Sequence, residues 1–267
     1  VNLPAVPRDE GERRVGGFAP DEDMELLFEG DAGCLHVERC VRAHADLARR
    51  LGATLVLNTT VRSWVANAEG ATVYTDGESY RAPLLFLCAG PWTGSLLREL
   101  GLPLTVKRKV QLWLRTRSRW HGPEHHCPAF IVQTESGYFY GFPTLDGTSM
   151  KIAEHTGGEV VPDASRVDRG LSGADVERVA EFASAFLPGV QSEVLRHAVC
   201  LYTLTPDEHF IIDRHPRHDN VFIAAGFSGH GFKFAPVVGS ILADMAIDGR
   251  TDAAIGFLGL PRFAHAR

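Results

Sequence analysis

Several signals common in membrane and secreted proteins are missing from this chain of 267 residues. No apolar run reaches the roughly 18 to 20 residues that a helix needs to cross a bilayer. The first 20 residues are polar and interrupted by Pro and Gly, which argues against a signal peptide. The 5 cysteines lie far apart without a C-x-x-C pair, which argues against a disulfide scaffold and for a reducing compartment. These absences predict a soluble, cytoplasmic protein.

The composition argues against two further classes of protein. Apolar residues make up 45% of the chain and charged residues 22%, close to the average for globular proteins, so disorder is not expected. A net charge of −6 argues against nucleic-acid binding through a basic field. We find no internal repeat and no low-complexity tract, and the length suits one large domain or two interlocked ones.

A dinucleotide-binding fingerprint is also missing. The stretch AAGFSGHGFKFAPVVG, at 224–239, has the Gly-rich composition of a phosphate loop between a strand and a helix. The fingerprint G-x-G-x-x-G would need a third glycine at position 234, where this chain has Phe234. The glycines favour either a site where backbone N–H groups meet an electron-rich oxygen or a plain strand–helix turn. Lys233 lies between two phenylalanines, and a lysine enclosed by aromatic rings needs an anionic partner.

The order of the predicted elements indicates two interleaved domains, of class α/β plus α+β. An α/β series covers 29–102 and 205–267, while an antiparallel sheet with one long helix, at 103–204, forms the second domain together with 1–28. Hydrophobic spacing and turn signals predict helices at 36–53, 92–100 (capped by Thr93), 173–187 and 236–247, strands at 54–66 and 84–88, and a hairpin at Asp76-Gly77.

A cluster of polar and aromatic residues follows at 138–158. If 149–155 is a strand, Lys151 and His155 share one face with Ala153, because side chains alternate along a strand. Tyr140 and the neighbouring aromatic residues lie close by in the sequence. This pattern predicts either a polar pocket with apolar walls or a solvated strand face.

The cysteine and histidine patterns carry weaker signals. Cys200 lies in an apolar strand, where a lone cysteine is most simply a small buried hydrophobe. Asp207, Glu208 and His209 are consecutive and cannot all converge from a strand. The stretch HGPEHHCP, at 121–128, offers no second ligand pair at a standard spacing, so we predict no metal site.

Three stretches are long and specific enough to indicate a family: CLYTLTPDEHFIID at 200–213, GFSGHGFKFAPVVG at 226–239, and YGFPTLDG with KIAEHTGG within 140–158. They resemble the monomeric sarcosine oxidase and N-methyltryptophan oxidase family of flavin amine oxidases. The likeness runs over 27–263 and includes CLHVERCVRAHADLARRLGA and FLCAGPWTGSLL.

The resemblance implies that 29–102 and 205–267 form an FAD-binding domain and that 1–28 and 103–204 form a substrate domain. It implies FAD attached covalently by a thioether from Cys200 to the flavin 8α-methyl group, which displaces the buried-hydrophobe interpretation. Lys151 matches the lysine near flavin N5 that promotes the reaction of reduced flavin with oxygen. A fixed cation suits that role because it stabilises the negative charge that develops on oxygen.

Other matched positions follow from the same resemblance. Lys233 matches a residue that binds the substrate carboxylate, while His155 and Tyr140 match residues of the substrate pocket. The positions placed at the cofactor are Gly229, His230, Gly231 and Phe232, in a turn whose N–H groups face the flavin pyrimidine edge, together with Lys233 beside that turn and Val61 and Trp92 near the FAD.

The implied reaction is oxidation of a secondary amino acid, N-methyl or cyclic, such as sarcosine. Oxygen reoxidises the flavin and becomes hydrogen peroxide, so the expected partners are a small amino acid and oxygen, with neither nucleic acid nor membrane. A further alternative is a flavin dehydrogenase that passes electrons to an acceptor other than oxygen. The presence of Lys151 argues against this alternative.

The resemblance fails at the start of the chain. The family opens with a βαβ unit that carries G-x-G-x-x-G and holds the FAD pyrophosphate, and this unit is absent here. The chain is therefore expected to be the C-terminal two thirds of such an enzyme, without its N-terminal nucleotide-binding segment. The alternative is a truncated, flavin-free homologue that acts as a non-catalytic binding module.

Overall fold

The computed structural model describes residues 3–14 and 16–263. Within these residues the α-helices are α1 (Arg8–Arg14), α2 (Val37–Arg50), α3 (Thr93–Leu96), α4 (Gly173–Phe186) and α5 (Ala235–Ile247). The strands are β1 (Val61–Asn67), β2 (Gly70–Thr75), β3 (Ser79–Ala82), β4 (Leu85–Leu87), β5 (Thr105–Thr116), β6 (Phe130–Thr134), β7 (Gly137–Phe142), β8 (Ser149–Glu154), β9 (Glu159–Val160), β10 (Val190–Leu204), β11 (Ile211–His215) and β12 (His218–Ala225).

The chain divides into two compact units, each built from separated segments. The first unit comprises Val1–Cys34, Arg108–Glu159 and Arg166–Cys200. The second comprises Leu35–Lys107, Val160–Ser165 and Leu201–Arg267.

The first unit is a sheet with a helix packed on one face. Its strands run in the order β10-β5-β8-β7-β6, with β9 also paired to β5. Because side chains alternate along β8, Met150 and Ile152 are fully buried on the face toward α4, while Lys151 lies on the other face. Phe139 of β7 stacks on Phe182 of α4 with ring centroids 4.4 Å apart. Each such buried side chain contributes about 2 kcal/mol of hydrophobic stabilisation, which fixes the sheet and so the opposite face.

A capping box fixes the start of α4. The Ser172 hydroxyl accepts from the Asp175 N–H, and the Asp175 carboxylate accepts from the Ser172 N–H at 2.8 Å. The same carboxylate pairs with the largely buried Arg108 guanidinium at 2.7 Å. This helix, predicted for 173–187, is confirmed as Gly173–Phe186, and Arg108 ties it to β5.

The second unit contains two three-stranded sheets. One, β1-β2-β3, is an antiparallel meander, and its β2–β3 turn confirms the hairpin predicted at Asp76-Gly77. In the other, β12 lies between antiparallel β11 and parallel β4. Both faces of β12 are covered: Phe222 packs with residues of α5, while Ile223 packs in a separate cluster with Leu97. Burial on both faces is typical of α/β sheets, so the α/β plus antiparallel-sheet fold class is confirmed.

Three local predictions need correction. The strand expected at 54–66 begins only at Val61, because 54–60 has no ladder partner among the residues described. The strand expected at 84–88 is the three-residue β4, which lies at the edge of its sheet as described, and Phe86 is 40% exposed. Thr93 does not cap a helix over 92–100: α3 is a single turn, and it starts at Thr93 without a side-chain cap.

The amphipathic helix predicted at 36–53 is confirmed as α2, but its apolar stripe is not covered. Val37, Val41 and Leu47 are all exposed, and α2 has no buried residue. Among the described residues, no helix is both long and apolar enough to span a membrane.

Candidate active site

Lys151 lies between two aromatic side chains on the face of the first unit's sheet away from α4. In the strand register, Lys151 of β8 is directly opposite Trp113 of β5 on one side and Phe142 of β7 on the other. Its Nζ lies 5.3 Å from the centroid of the Trp113 ring and 5.3 Å from that of Phe142. The ammonium therefore has an aromatic ring on either side, within cation–π range.

Tyr140 and His155 lie on the same side of this sheet as Lys151. Tyr140 is opposite Ala153 in the register, and its hydroxyl accepts a hydrogen bond from Gln111 Nε2 at 3.2 Å. His155 follows β8 directly and donates its backbone N–H to the Tyr138 carbonyl at 2.7 Å. The Tyr140 and His155 rings are half-buried, 6.4 Å apart and nearly perpendicular. The alternation read from the sequence therefore brings Lys151, Tyr140 and His155 to one face.

The predicted attachment cysteine lies on the strand at one edge of this sheet. Cys200 is the last residue of the first unit and is half-buried on β10, which pairs with β5. Another cysteine of the unit, Cys127, lies in the hydrophobic core, where burial raises its thiol pKa to about 12. Cys127 is therefore a packing residue, since the protonated thiol is unreactive.

The Gly-rich stretch of the second unit is a tight turn between β12 and α5. Gly226, Ser228 and Gly229 all have positive φ angles, of 63°, 48° and 83°. Ser228 is buried, and its N–H donates to the Thr203 carbonyl at 2.9 Å while its hydroxyl donates to the Gly226 carbonyl at 3.1 Å. These bonds hold a non-glycine residue in the left-handed region, so the turn is a rigid element rather than a loose loop.

Close packing explains two of the glycines. A Cβ at Gly229 would lie 2.2 Å from the Tyr202 ring, and one at Gly231 would lie 2.5 Å from the Phe227 side chain. The side chain of His230, between them, packs on Phe210 with ring centroids 5.0 Å apart and donates from Nε2 to the Glu208 carbonyl at 3.2 Å. The glycines are thus required by the protein's own packing, whatever the turn binds.

Lys233 differs from the expectation. It lies in a short 3₁₀ turn, Phe232–Phe234, and is exposed, with Nζ 5.9 Å from the Phe234 ring centroid. Both phenylalanines are themselves 39% exposed, so the prediction of an aromatic enclosure is wrong. Within residues 3–14 and 16–263, no carboxylate forms an ion pair with Lys233.

The remaining predicted cofactor positions also lie in the second unit. Val61 begins β1, opposite Thr75, and is exposed. Trp92 is exposed as well and donates its indole N–H to Ser165 Oγ at 3.0 Å.

The acidic and histidine stretches noted in the sequence have structural partners. Asp207 forms an ion pair with Arg262 at 2.8 Å, and this lowers the pKa of its carboxyl to about 2. His121 is fully buried, where its Nε2 donates to the Gly17 carbonyl at 2.9 Å. No group of three His, Cys, Asp or Glu side chains in the described part of the chain is arranged to hold a metal ion.

Comparison with known proteins identifies the family. The sequence pattern of the FAD dependent oxidoreductases matches residues 6–245. The chain belongs to this family. It is 39% identical to monomeric sarcosine oxidase of Bacillus sp. (strain NS-129), over 94% of this chain and 66% of that protein. It is 37% identical to N-methyl-L-tryptophan oxidase of Escherichia coli (strain K12), over 89% of this chain and 63% of that protein.

A solved structure gives the same result for the fold. NikD, an unusual amino acid oxidase essential for nikkomycin biosynthesis, superimposes with a TM-score of 0.81 at 26% identity, over 97% of this chain and 68% of NikD. This chain thus spans about two thirds of the length of these relatives. The predicted resemblance to flavin amine oxidases is confirmed.

Features of the second unit fit part of an FAD site. Parallel strands β4 and β12 are followed by glycine turns, at Gly90 and Gly226, before α3 and α5 begin. Dinucleotides bind at the carboxyl ends of parallel strands in sheets of this kind. Gly90 has a φ of 51°, and the space where its Cβ would lie is open. The Thr93 hydroxyl that follows is buried without a hydrogen-bond partner among the described residues, so a polar ligand group would satisfy it.

Three residues on the same sheet face as Lys151, the face away from α4, were not predicted from the sequence: Trp113, Phe142 and Gln111. Trp113 and Gln111 alternate with the buried Leu112 and Leu114 of β5, so their common face was readable from the sequence. Their nearness to Lys151 depends on the pairing of β5 with β8, which no local pattern contains.

Proposed function

We propose that this chain provides the substrate-binding face and part of the flavin site of an amine oxidase that oxidises a secondary amino acid, N-methyl or cyclic, such as sarcosine. The observation that carries the proposal is the face of the first unit on which Lys151, Tyr140 and His155 lie together with Trp113 and Phe142. Family membership supplies the redox class, and the names of its relatives supply the substrate class.

Bound FAD would supply the two-electron chemistry, by which an electron pair of the amine reaches oxygen. The amine loses two electrons and two protons to become an imine, which water hydrolyses. Oxygen gains two electrons and two protons to become hydrogen peroxide. The protein binds the amine, orients it and sets the charges around it.

In this proposal the two predicted domains divide the work. Segments 29–102 and 205–267 bind FAD, and segments 1–28 and 103–204 bind the substrate. The glycine turns after β4 and β12 support the first assignment, since they leave backbone N–H groups near helix starts. The aromatic and cationic face of the first unit supports the second.

Lys151 is assigned the activation of oxygen. A cation fixed near the reacting oxygen stabilises the negative charge that forms as the first electron arrives. The flanking rings of Trp113 and Phe142 support this assignment because they hold the ammonium at the sheet face. Tyr140 and His155 line the substrate pocket beside it.

Lys233 is assigned the substrate carboxylate. Its ammonium is exposed and forms no ion pair with the described part of the chain, so it is available to an anionic ligand. In the same turn, Gly229, His230, Gly231 and Phe232 would lie at the flavin pyrimidine edge. The His230 N–H donates to the Phe227 carbonyl at 3.0 Å, so the N–H groups of the other three would stabilise added negative charge. Val61 and Trp92 complete the contacts to FAD.

Cys200 is assigned the covalent bond to FAD. A thioether needs an accessible sulfur atom on a rigid support, and half-burial on a long strand provides both.

The proposal is tested on the protein expressed from its complete gene. The purified protein is mixed anaerobically with sarcosine, N-methyl-L-tryptophan or L-proline, with glycine as the primary-amine control, and flavin absorbance is followed. A secondary amino acid should bleach the flavin, and air should restore the colour with one peroxide formed per cycle. A colourless protein that takes up no added FAD would instead favour the binding-module alternative, and bleaching without reoxidation by air would favour a dehydrogenase.

A further inference from the structure

Trp113 contacts two cationic side chains in the first unit. The Arg196 guanidinium carbon lies 3.7 Å from the centroid of the Trp113 ring, while Lys151 Nζ lies 5.3 Å from the same centroid. A planar guanidinium at 3.7 Å covers the ring face on which it stacks. The indole is thus held in place by an arginine from β10 and is near a lysine from β8.

The strand register sets this arrangement. Trp113 is directly opposite Lys151 across β5 and β8, in a part of the sheet where Leu112 and Leu114 are fully buried on the other face. Phe142 is opposite Lys151 on the far side. Since three neighbouring strands supply the lysine and its two rings, no loop movement is needed to form the site.

Aromatic rings beside a lysine restrict the positions that its ammonium group occupies. A free lysine side chain samples many rotamers, and its strongly hydrated ammonium is poorly located. Rings on either side attract the ammonium through their negative faces and restrict those rotamers. The ring that Arg196 stacks on is itself restrained, so this restriction does not depend on a mobile indole.

We propose that Trp113 is a positioning residue that holds the Lys151 ammonium at the sheet face, with Phe142 as the second wall and Arg196 as the support of the indole. This proposal rests on the oxygen-reducing role proposed for Lys151. Trp113 itself takes no part in electron or proton transfer. Its contribution is to keep the positive charge at one point.

The first test measures the lysine directly. Reductive methylation of the full-length holoenzyme with ¹³C-formaldehyde labels each lysine, including Lys107, Lys109, Lys151 and Lys233 of this chain, and keeps its charge. The Lys151 signal is assigned as the one that is lost in Lys151→Met. Ring currents should shift it upfield of the exposed Lys233 signal.

Three variants give the expected pattern. Trp113→Leu should remove at least half of the upfield shift, and Trp113→Phe should keep most of it, because a ring remains. Trp120→Leu is the matched control: Trp120 belongs to the same unit but contacts Arg119 and His125, so the Lys151 signal should not move. An unchanged Lys151 signal in Trp113→Leu would overturn the proposal.

The second test separates positioning from general damage. Trp113→Leu should slow the reaction of the reduced enzyme with oxygen by about 3- to 10-fold, the scale of a lost cation–π contact, and slow anaerobic amine oxidation at saturating amine by a clearly smaller factor. Trp113→Phe should restore most of the oxygen rate. Equal slowing of both half-reactions would contradict the positioning role.

The two tests also distinguish this proposal from the proposed function. If the Lys151 signal moves in Trp113→Leu while Lys151→Met reacts normally with oxygen, the contact is real but Lys151 does not activate oxygen. If Lys151→Met is slow with oxygen while Trp113→Leu changes neither signal nor rate, the function stands and Trp113 has no positioning role.

Discussion

Arg262 donates its Nε–H to the carboxylate of Asp207 at 2.8 Å, across 55 residues of the chain. The same guanidinium donates to the carbonyls of Leu258 and Phe210, at 2.7 and 2.9 Å. The TPDEHF stretch that marks the family in the sequence is therefore tied to the C-terminal segment. Its acidic residue has a structural role in the second unit.

This ion pair predicts a stability that depends on pH. Arg262 lowers the Asp207 pKa from 3.8 to about 2, so the pair stabilises the folded state above pH 3.8 and the contribution is lost as pH falls toward 2. Because the Asp207 side chain is 37% exposed, solvent screening limits the effect, and Asp207→Asn should lower the free energy of unfolding by roughly 1 kcal/mol at pH 7. Urea unfolding at pH 7 and at pH 2 measures the contribution where it is fully present and where it is mostly lost.

The control for Asp207 is Asp252→Asn, which removes the almost fully exposed pair between Arg250 and Asp252. That change should cost nothing measurable at either pH. An Asp207→Asn variant whose deficit is as large at pH 2 as at pH 7 would show that the pair is not the source of the effect.

Lys151→Met should separate the two half-reactions of the full-length enzyme. Anaerobic flavin reduction by the amine should stay largely intact, because the ammonium is not needed to remove electrons from an unprotonated amine. Reoxidation by oxygen should slow severely, by 100-fold or more as an order of magnitude, because a preorganised charge has been removed. Stopped-flow absorbance of the flavin measures its reduction by the amine and its reoxidation by oxygen separately. If Lys151→Met affects both half-reactions equally, the role given to Lys151 is refuted.

Cys200→Ala should make the bound FAD extractable. In the unaltered protein the flavin colour should remain with the polypeptide after acid precipitation, because a thioether survives denaturation. Cys88→Ala is the matched control, since Cys88 is another cysteine, exposed, at the end of a strand. If flavin still precipitates with Cys200→Ala, the attachment lies elsewhere.

Features of the site that are set by residues close together in the sequence could be predicted, whereas features set by distant contacts could not. Alternation along 149–155 was enough to place Lys151 and His155 on one face, and an amphipathic repeat was enough for α4. The exposure of Lys233 was not predictable, since flanking phenylalanines in a sequence need not fold over the residue between them. The same holds for Trp113, whose contact with Lys151 is a consequence of strand pairing.

The extended segments show the same limit. An apolar run such as 54–57 has the composition of a strand, yet a strand forms only where a neighbour supplies hydrogen bonds. The register and order of strands are set by contacts between residues far apart in the chain, which periodicity does not encode. The sequence-based prediction therefore succeeded for elements and failed at several of their ends.

Gly229→Ala should be strongly destabilising. The residue has a φ of 83°, and an added Cβ would lie 2.2 Å from the Tyr202 ring, which is buried and cannot easily move. Left-handed strain of about 1 to 2 kcal/mol adds to an overpacking cost of about 1 to 3 kcal/mol. Gly90→Ala is the matched control, because Gly90 has a φ of 51° with open space around its Cβ, and it should cost only the strain. Urea unfolding compares the two, and equal costs would show that Tyr202 yields.

Buried His121 predicts a loss of stability in mild acid. Burial lowers its pKa from 6.5, so in the folded state it stays neutral, with Nε2–H donating to Gly17 and Nδ1 accepting from the Thr116 hydroxyl at 2.6 Å. Below pH 6.5 the unfolded chain takes up a proton that the folded chain does not, so stability falls with pH by up to about 1.4 kcal/mol per unit until the folded pKa is reached.

His121→Gln removes this titration, so the stability of the first unit should fall less between pH 7 and pH 5 than it does in the unaltered protein. The replacement should also lower the stability at pH 7. His44→Gln is the control for replacing a histidine by glutamine, because His44 is exposed on α2. Hydrogen exchange is measured at amides of the first unit, at 108–116 in β5 and in α4. Buried His215, whose pKa is also lowered by burial, belongs to the second unit. A wild-type decline that persists in His121→Gln would assign the acid sensitivity to another group.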